Sequence, residues 1–122
     1  MNSIGIVAAL SAFLGIWLGH VTVRKIEFIS PTIWLPATIF AAAGLALEFL
    51  SLSTVNFPLS TVFGILGITA LWDALEFIRQ QRRICKGYAP ANSRNPRHVK
   101  ILAEYPSATI DDLLKRTSPT DN

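Results

Sequence analysis

Residues 4–23 read IGIVAALSAFLGIWLGHVTV, an apolar run long enough to cross a bilayer as one helix. Two further apolar runs follow at 33–52 and 59–77. A hydrocarbon core about 30 Å thick needs roughly 20 helical residues, and few water-soluble domains of this size carry even one such run. The pattern therefore predicts an all-α integral membrane protein with three transmembrane helices.

The composition of the 122-residue chain agrees with lipid as its main solvent. Hydrophobic residues make up 51% of the chain and charged residues 16%, which is typical of a membrane protein. The formal net charge is +3, and most of the 11 basic residues lie from Arg79 onward, so the charge belongs to the C-terminal part. The single cysteine, Cys85, excludes an internal disulfide and a cysteine-pair metal motif.

No recognised catalytic pattern occurs in the sequence. It has no nucleophile–base pair, no glycine-rich phosphate loop and no established metal-binding motif. We therefore predict a protein that is not an enzyme and carries no metal or cofactor. The arginines that follow the third run lack interleaved aromatic residues, which argues against a nucleic-acid partner.

The basic residues predict the orientation in the membrane. Arg24 and Lys25 lie in the first connection, the second connection (53–58) carries no charge, and the tail is rich in Lys and Arg. Because cytoplasmic segments carry the excess of basic residues, we predict a multi-pass protein of the bacterial inner (plasma) membrane, with its N-terminus outside and its C-terminus cytoplasmic. No basic residue precedes the first run and no cleavage pattern follows it, so we expect a retained helix.

The expected transmembrane domain is 1–87, with spans at about 4–23, 33–52 and 58–78. The third helix is expected to continue into the cytoplasm, since helix-compatible residues run on to Lys86 and Gly87 is a natural stop. At 1.5 Å per residue that helix would be about 43 Å long, more than the hydrocarbon thickness. Four residues are predicted to contact lipid headgroups or an acidic partner: Trp72, Arg82, Arg83 and Lys86.

The cytoplasmic tail, 88–122, begins with a turn-rich linker that contains Pro90, Asn95 and Pro96. A short helix is predicted near 109–116, because Thr109 is a suitable N-cap, aspartates follow in the first turn and basic residues in the last. Two turns of helix are unstable alone in water. We therefore expect this helix to dock on a partner or on the protein's own cytoplasmic face.

Small residues recur at helical spacing in all three spans and predict close helix packing. The predicted contact positions are Ser11, Gly15, Gly19, Ala37, Ala41, Gly64 and Gly67. One interpretation is packing within a single three-helix unit. The other is self-association of two chains, because the segment GIWLG at 15–19 fits the GxxxG dimer pattern.

Ionisable residues near the membrane are the main functional candidates, since a charge in hydrocarbon is costly. Six of them are predicted to form a polar cluster at the cytoplasmic edge: His20, Arg24, Glu27, Asp73, Glu76 and Arg79. In one interpretation the basic residues, together with Lys25, neutralise the three carboxylates and lock the helices together. In the other, His20, Glu27 and Glu76 form a proton relay or a divalent-metal site, or His20 ligates a haem.

Glu48 is an isolated carboxylate near the outer end of the second span, with no basic residue nearby in the sequence. Three arrangements are open to it: it reaches the interface, it hydrogen-bonds to hydroxyl or amide groups of the neighbouring loop, or it is protonated. The last arrangement would give Glu48 a proton-coupled role, because desolvation favours the neutral acid.

Several of these residues carry a resemblance to a known family. The segments are His20 followed by Arg24-Lys25-x-Glu27, Gly64-x-x-Gly67 leading to Trp72-x-x-x-Glu76, and Lys86-Gly87-Tyr88-x-Pro90. Over roughly 4–97 the chain resembles the small bacterial membrane proteins of domain of unknown function family 4491. The resemblance implies three spans and points to His20, Glu27, Trp72 and Glu76, but it implies no activity. Val21 stands where a proline is common in that family, and the chain after His98 resembles an extension.

From the sequence we predict a small, non-enzymatic membrane protein. It would act as an assembly or scaffold subunit of a homo-oligomer or of a larger membrane complex, in contact with the lipid bilayer. Three helices have little interior of their own, which favours association with further helices. The alternative function is a small oligomeric transporter, or a proton- or ion-conducting protein, that uses the His/Glu cluster at the cytoplasmic edge.

Overall fold

A computed structural model describes residues 1–112 of the chain. This part contains four α-helices and no β-strand. The helices are α1 (Ile4–Ile29), α2 (Trp34–Ser53), α3 (Phe57–Cys85) and α4 (Pro96–Glu104). The first three are long and apolar enough to cross a membrane. This confirms the predicted all-α architecture, with three helices of membrane-spanning length and one short helix towards the C-terminus.

The helices α1 and α3 are the longest, with 26 and 29 residues. At 1.5 Å per residue they measure about 39 and 43 Å, so both exceed a hydrocarbon thickness of about 30 Å. The sequence predicts the extension of α3 but not that of α1, because Arg24 and Lys25 end the apolar run without ending the helix. α1 stops at Ile29, and Ser30 is extended, since the residue before a proline, here Pro31, disfavours helical backbone.

The central helix of the membrane domain is α3, which packs along both α1 and α2. Gly15 faces Thr69 and Gly19 faces Asp73, so α1 and α3 run in the same direction. The helix α2 runs the opposite way, which brings its start beside the ends of α1 and α3. Five exposed basic residues of α1 and α3 lie on this side of the molecule, which we call the basic end: Arg24, Lys25, Arg79, Arg82 and Arg83.

Apolar side chains from all three long helices meet near the basic end. Val23 of α1, Ile33 and Ala37 at the start of α2, and Phe77 of α3 are buried together. The ring of Phe40 packs edge to face on Phe77, with 5.2 Å between the ring centroids. This core fixes the three helices relative to one another beside the buried polar residues of the same end.

The small-residue face of α1 packs against α3 of the same chain. Ser11 and Gly19 are buried, and a Cβ atom on Gly15 would lie 3.2 Å from the hydroxyl oxygen of Thr69. A Cβ atom on Gly19 would collide with the carboxylate of Asp73. The structure therefore uses the GxxxG segment within one three-helix unit, the first of the two interpretations that the sequence left open.

Glycines bring the backbones of α2 and α3 together. A Cβ atom on Gly44 would lie 2.8 Å from the carbonyl oxygen of Gly67, and one on Gly67 would lie 3.0 Å from that of Gly44. Near the loop, the hydroxyls of Ser51 and Ser60 each donate to the other's carbonyl oxygen at 2.8 Å. The sequence did not point to Gly44. Of the predicted positions on these two helices, Ala37 and Gly67 are buried and Ala41 and Gly64 are half-buried.

Residues 88–112 fold back onto the basic end, and we call them the tail cap. Gly87, with φ at 80°, makes the turn after α3, a left-handed conformation that suits glycine. Ala89, Ala91 and Ile101 of the tail cap are buried together with Ile84 of α3. The tail cap is therefore packed on the membrane domain through an apolar core of its own.

A short helix that the sequence did not predict lies within the tail cap. Residues 109–112 are not helical, and the rest of the helix predicted near 109–116 lies outside the described residues. The helix that the described residues contain here is α4, with nine residues. Asn95 is its N-cap and accepts a hydrogen bond from the N–H of Arg97 at 3.0 Å, while His98 and Ile101 are buried on its inner face. Capping and burial of one face stabilise so short a helix.

Candidate functional site

A buried carboxylate at the end of α1 is the centre of the candidate site. Glu27 is only 1% exposed. Its Oε1 atom lies 2.7 Å from Nη1 of Arg97 and 3.0 Å from Nε2 of His98, both in the tail cap. We call these three residues the Glu27 cluster. The pairing is required because an ionised carboxylate taken out of water without a partner would lose several kcal/mol of solvation.

The hydrogen bonds of His98 define its tautomer. The backbone N–H of Asn92 donates to Nδ1 of His98 at 2.8 Å, so Nδ1 is the nitrogen without a proton. The proton of the neutral ring is then on Nε2, which donates to Glu27 at 3.0 Å. The ring of His98 is fully buried and meets Phe28 edge to face. Glu27 thus accepts from one charged donor and one neutral donor.

The tail cap also satisfies carbonyl oxygens at the C-terminus of α1, where the last turn leaves them without partners inside the helix. The side-chain amide of Asn95 donates to the carbonyl oxygens of Phe28 at 3.1 Å and Ser30 at 2.9 Å. The amide of Asn92 donates to Phe28 as well, at 3.0 Å. Arg97 donates to the carbonyl oxygen of Glu27, and its positive charge is favourable at a helix C-terminus.

One guanidinium group links three parts of the structure. Besides Glu27 on α1, Arg97 donates to Oε1 of Gln81 on α3 at 2.6 Å. Two buried atoms of the cluster, Oε2 of Glu27 and Nε of Arg97, have no hydrogen-bond partner among the described residues. Loss of either charge would therefore leave the other charge buried without a counter-ion and with too few hydrogen-bond partners.

A second set of ion pairs lies along α3. Glu76, which is 4% exposed, accepts from Arg79 at 2.9 Å and lies 3.7 Å from Arg83. The guanidinium of Arg79 also lies over the ring of Trp72, 4.5 Å from its centroid, which is a cation–π contact. The side chains predicted to meet headgroups are all exposed: Trp72, Arg82, Arg83 and Lys86.

Asp73 and His20 form a third polar site, deeper in the membrane domain. The carboxylate of Asp73 packs against Gly19 and is 8% exposed. Its titratable neighbours are His20 and Glu76. His20 itself is exposed. Because seven residues of helix separate His20 from Glu27, this site lies about 10 Å further from the basic end than the Glu27 cluster.

The structure therefore divides the predicted polar cluster into three sites. Glu27 pairs with residues of the tail cap, Glu76 pairs with arginines of its own helix, and Asp73 lies beside His20. Arg24 and Lys25, expected to neutralise carboxylates, form no salt bridge with any residue in 1–112. Within the same range, no three His, Cys, Asp or Glu side chains come together in a way that could hold a metal ion.

Glu48 faces the contact between α2 and α3. Its Oε1 atom lies over Gly67, 2.7 Å from where a Cβ atom would be. Ser51 and Ser60, two of the groups that could have bound it near the loop, bond to each other instead. The carboxylate thus points into the membrane domain, away from the loop at its own end of α2.

Sequence reasoning missed Arg97 and His98, the partners of Glu27. Both lie in a segment that follows a turn-rich linker and carries no long apolar run. The available signal was the pair Asn95-Pro96, an N-cap followed by proline in the first turn, with His98 and Ile101 three residues apart on one face. That pattern predicts a short docked helix, although it does not identify the surface on which the helix docks.

Comparison with known families gives one match. The model of a family described as a domain of unknown function (DUF4491) matches residues 2–95. The matched segment contains Glu27 and Glu76 and ends at Asn95, just before Arg97 and His98. Comparison with curated proteins and with solved structures gives no match.

Proposed function

Because the chain belongs to the DUF4491 family, a domain of unknown function, we propose its function from the geometry of its own residues. The proposal is a non-enzymatic membrane scaffold: an assembly subunit of a homo-oligomer, or of a larger complex, in the bacterial inner membrane. The observation that carries it is the Glu27 cluster, which fixes the tail cap to the end of α1. A surface held in one orientation beside the membrane is suited to docking a partner.

The separation of the charged residues supports a structural role. A relay from His20 through Glu27 to Glu76 would require side chains within hydrogen-bond reach of one another or of bridging water. Each of the three instead has its own neighbours, and both carboxylates are paired with arginine, at 2.7 Å for Glu27 and 2.9 Å for Glu76. The Glu27 pair joins α1 to α4 and the Glu76 pair lies within α3, and neither pair needs a ligand.

The outer faces of α1 and α2 are the proposed contacts with lipid and with other subunits. Three glycines of α1 and α2, Gly15, Gly19 and Gly44, face α3, so contacts between chains along the middle of these helices would use larger side chains. Several large apolar residues on these faces are more than half exposed: Phe13, Trp17, Leu45 and Phe49. A flanking subunit would cover them by van der Waals packing, which drives helix association in lipid.

The proposed orientation has the basic end in the cytoplasm and the N-terminus outside. It is supported by the position of the basic residues, since the last turns of α1 and of α3 bring them to one end of the molecule. The opposite end carries the uncharged loop 54–56. Excess Lys and Arg in short segments beside the membrane favours the cytoplasmic side.

A second candidate is a small oligomeric transporter or a proton-conducting protein. Two observations favour it: Glu48 points at Gly67 inside the membrane domain, and Asp73 is buried beside His20. Carboxylates at membrane depth are costly and mark proton or ion paths in many membrane proteins. In this protein such a path would run through Glu48 or Asp73, and the Glu27 cluster would remain structural.

Native mass spectrometry of the detergent-released protein tests the proposal. We expect a closed homo-oligomer or a complex with other subunits, weakened in Glu27→Gln and retained in Glu104→Gln, which removes the same charge from an exposed position of α4. A monomer without partners would contradict the scaffold. Proton flux in liposomes that disappears in Asp73→Asn or Glu48→Gln, with the assembly intact, would favour the second candidate instead.

A further inference from the structure

A groove at the basic end, between α1, α3 and the tail cap, has a cationic lining. Its volume is about 990 Å³. The basic side chains that line it are Arg24 and Lys25 of α1 and Arg83 of α3, and Tyr88 of the tail cap forms part of another wall. His20 stands at its deep end, on the side of the membrane domain.

A second, apolar groove continues from the first along α1 and α3. Its volume is about 370 Å³, and Ile16, Ile68 and Trp72 form its apolar lining. These three side chains are between 50% and 59% exposed, so the groove is open to the surrounding lipid. His20 lines both grooves. The two therefore form one continuous groove on the surface, which we call the channel although it is not a pore. It is cationic at the basic end and apolar further in.

The charge of the cationic part favours an anion. Arg24 and Lys25 are exposed and form no salt bridge within 1–112, and Arg83 keeps 46% of its side chain exposed. Two acidic residues also line this part. Glu27 is neutralised within the Glu27 cluster, and Asp112 lies in the wall that the tail cap contributes. Because Arg83 is shared with Glu76 at 3.7 Å, the excess of positive charge comes from Arg24 and Lys25, which face one acid outside the cluster, Asp112.

The dimensions of the channel match one leaflet of a bilayer. Eight residues of α1 separate Ile16 from Arg24, a rise of about 12 Å. Half of a hydrocarbon core is about 15 Å thick. A phosphate held at Arg24 would therefore leave an acyl chain lying beside Ile16, close to the middle of the membrane.

We propose that this channel binds one anionic phospholipid. Its phosphate would lie among Arg24, Lys25 and Arg83, and one acyl chain would lie along the apolar groove. Basic pockets between membrane helices bind anionic headgroups in this way. A lipid fits better than a soluble phosphate, because only a lipid would also cover the apolar groove that continues from the charged one.

Lipid titration of the delipidated protein, followed by native mass spectrometry, tests this proposal. The probes are dioleoylphosphatidylglycerol and its zwitterionic counterpart dioleoylphosphatidylcholine. We expect one phosphatidylglycerol per chain and much weaker binding of phosphatidylcholine. The double variant Arg24→Gln/Lys25→Gln should weaken phosphatidylglycerol binding by about 25-fold, or about fivefold per charge. Its matched control is Arg94→Gln/Lys100→Gln, which removes two exposed charges of the tail cap outside the channel and should leave binding unchanged.

A second variant tests the apolar groove. Ile68→Trp fills that groove and should displace the acyl chain, whereas Ile39→Trp makes the same change at an exposed position of α2 and should have no effect. Equal binding of the two lipids, or equal losses in the two double variants, would overturn the proposal. Competition by inorganic phosphate, together with full binding in Ile68→Trp, would also overturn it and would identify a site for a soluble anion.

Discussion

Glu27 is buried where the membrane domain meets the tail cap, and its partners come from a distant part of the chain. A buried ion pair contributes little net stability compared with apolar residues of the same shape, but it penalises every arrangement that leaves one charge unpaired. Only one placement of the tail cap brings Arg97 and His98 to this carboxylate at 2.7 and 3.0 Å. The Glu27 cluster therefore specifies how the tail cap docks.

The substitution Glu27→Gln is expected to loosen the tail cap. It leaves the guanidinium of Arg97, whose side chain is 12% exposed, without a counter-ion, and removing one partner of a buried pair costs about 3 kcal/mol. Such a loss would raise the undocked population of the tail cap by roughly 100-fold. Hydrogen exchange of the backbone amides of α4 and its flanking turns measures this change.

Glu104→Gln is the matched control for that exchange experiment. Glu104 is exposed at the end of α4 and forms no salt bridge with a residue in the described part of the chain. The variant Glu104→Gln removes the same charge as Glu27→Gln, but from a position that takes no part in docking. The amide exchange rates of its tail cap should therefore remain those of the wild type. If the tail cap of Glu27→Gln exchanged as slowly as in the control, the docking role of Glu27 would be refuted.

Among the helices, α2 and α3 are in contact through two facing glycines. Gly44 and Gly67 let the two backbones approach until each glycine lies against the other's carbonyl oxygen. Close approach of this kind replaces the hydrophobic driving force that is absent between helices in lipid. The contact therefore constrains both positions to a residue without a Cβ atom.

The substitution Gly67→Ala should destabilise the fold, although alanine favours a helix over glycine by about 1 kcal/mol. The added Cβ atom would lie 2.7 Å from Oε1 of Glu48 and 3.0 Å from the carbonyl oxygen of Gly44, so the Glu48 side chain would have to move and the backbone of α2 would have to shift slightly away from α3. Overpacking of this kind costs about 1–3 kcal/mol. Unfolding in mixtures of mild detergent and dodecyl sulfate, followed by circular dichroism, measures the net effect.

Gly5→Ala provides the control for the helix contact. No heavy atom lies within 4 Å of a Cβ atom built on Gly5, so the variant should be as stable as the wild type or slightly more stable. If Gly67→Ala were as stable as Gly5→Ala, the close approach of α2 and α3 would not be what holds these helices together.

The three long helices could be predicted from the sequence because their cause is local. Each contains an apolar run long enough to span a bilayer, and in lipid such a run must satisfy its backbone groups within a helix. The helix α4 has a different cause. Its nine residues are stabilised by docking on Glu27, Phe28 and Ser30, which lie more than 60 positions earlier in the chain. Sequence periodicity does not reveal contacts of that range.

Across the whole molecule, the polar residues separate according to their depth. The parallel packing of α1 and α3 sets Gly19 beside Asp73 and the Glu27 cluster beside Gln81. Eight residues lie between these two levels on each helix, a difference of about 12 Å. The sequence places all six predicted residues near one end of the membrane domain. It does not show how far each helix is shifted along its axis relative to its neighbours, and that shift sets the depth of each residue. The single predicted cluster is therefore three sites.

The arrangement of the whole chain across the membrane leads to a last prediction. Val55→Cys and Ser93→Cys, each with Cys85→Ser, place a single thiol at opposite ends of the molecule. Val55 is 94% exposed and Ser93 is exposed in the tail cap, so a maleimide should label both thiols equally in detergent. With a membrane-impermeant maleimide on spheroplasts, we expect labelling at position 55 only, because the basic residues retain the opposite end in the cytoplasm. Labelling at position 93 alone would reverse the proposed orientation and would place the channel with Arg24 and Lys25 in the outer leaflet.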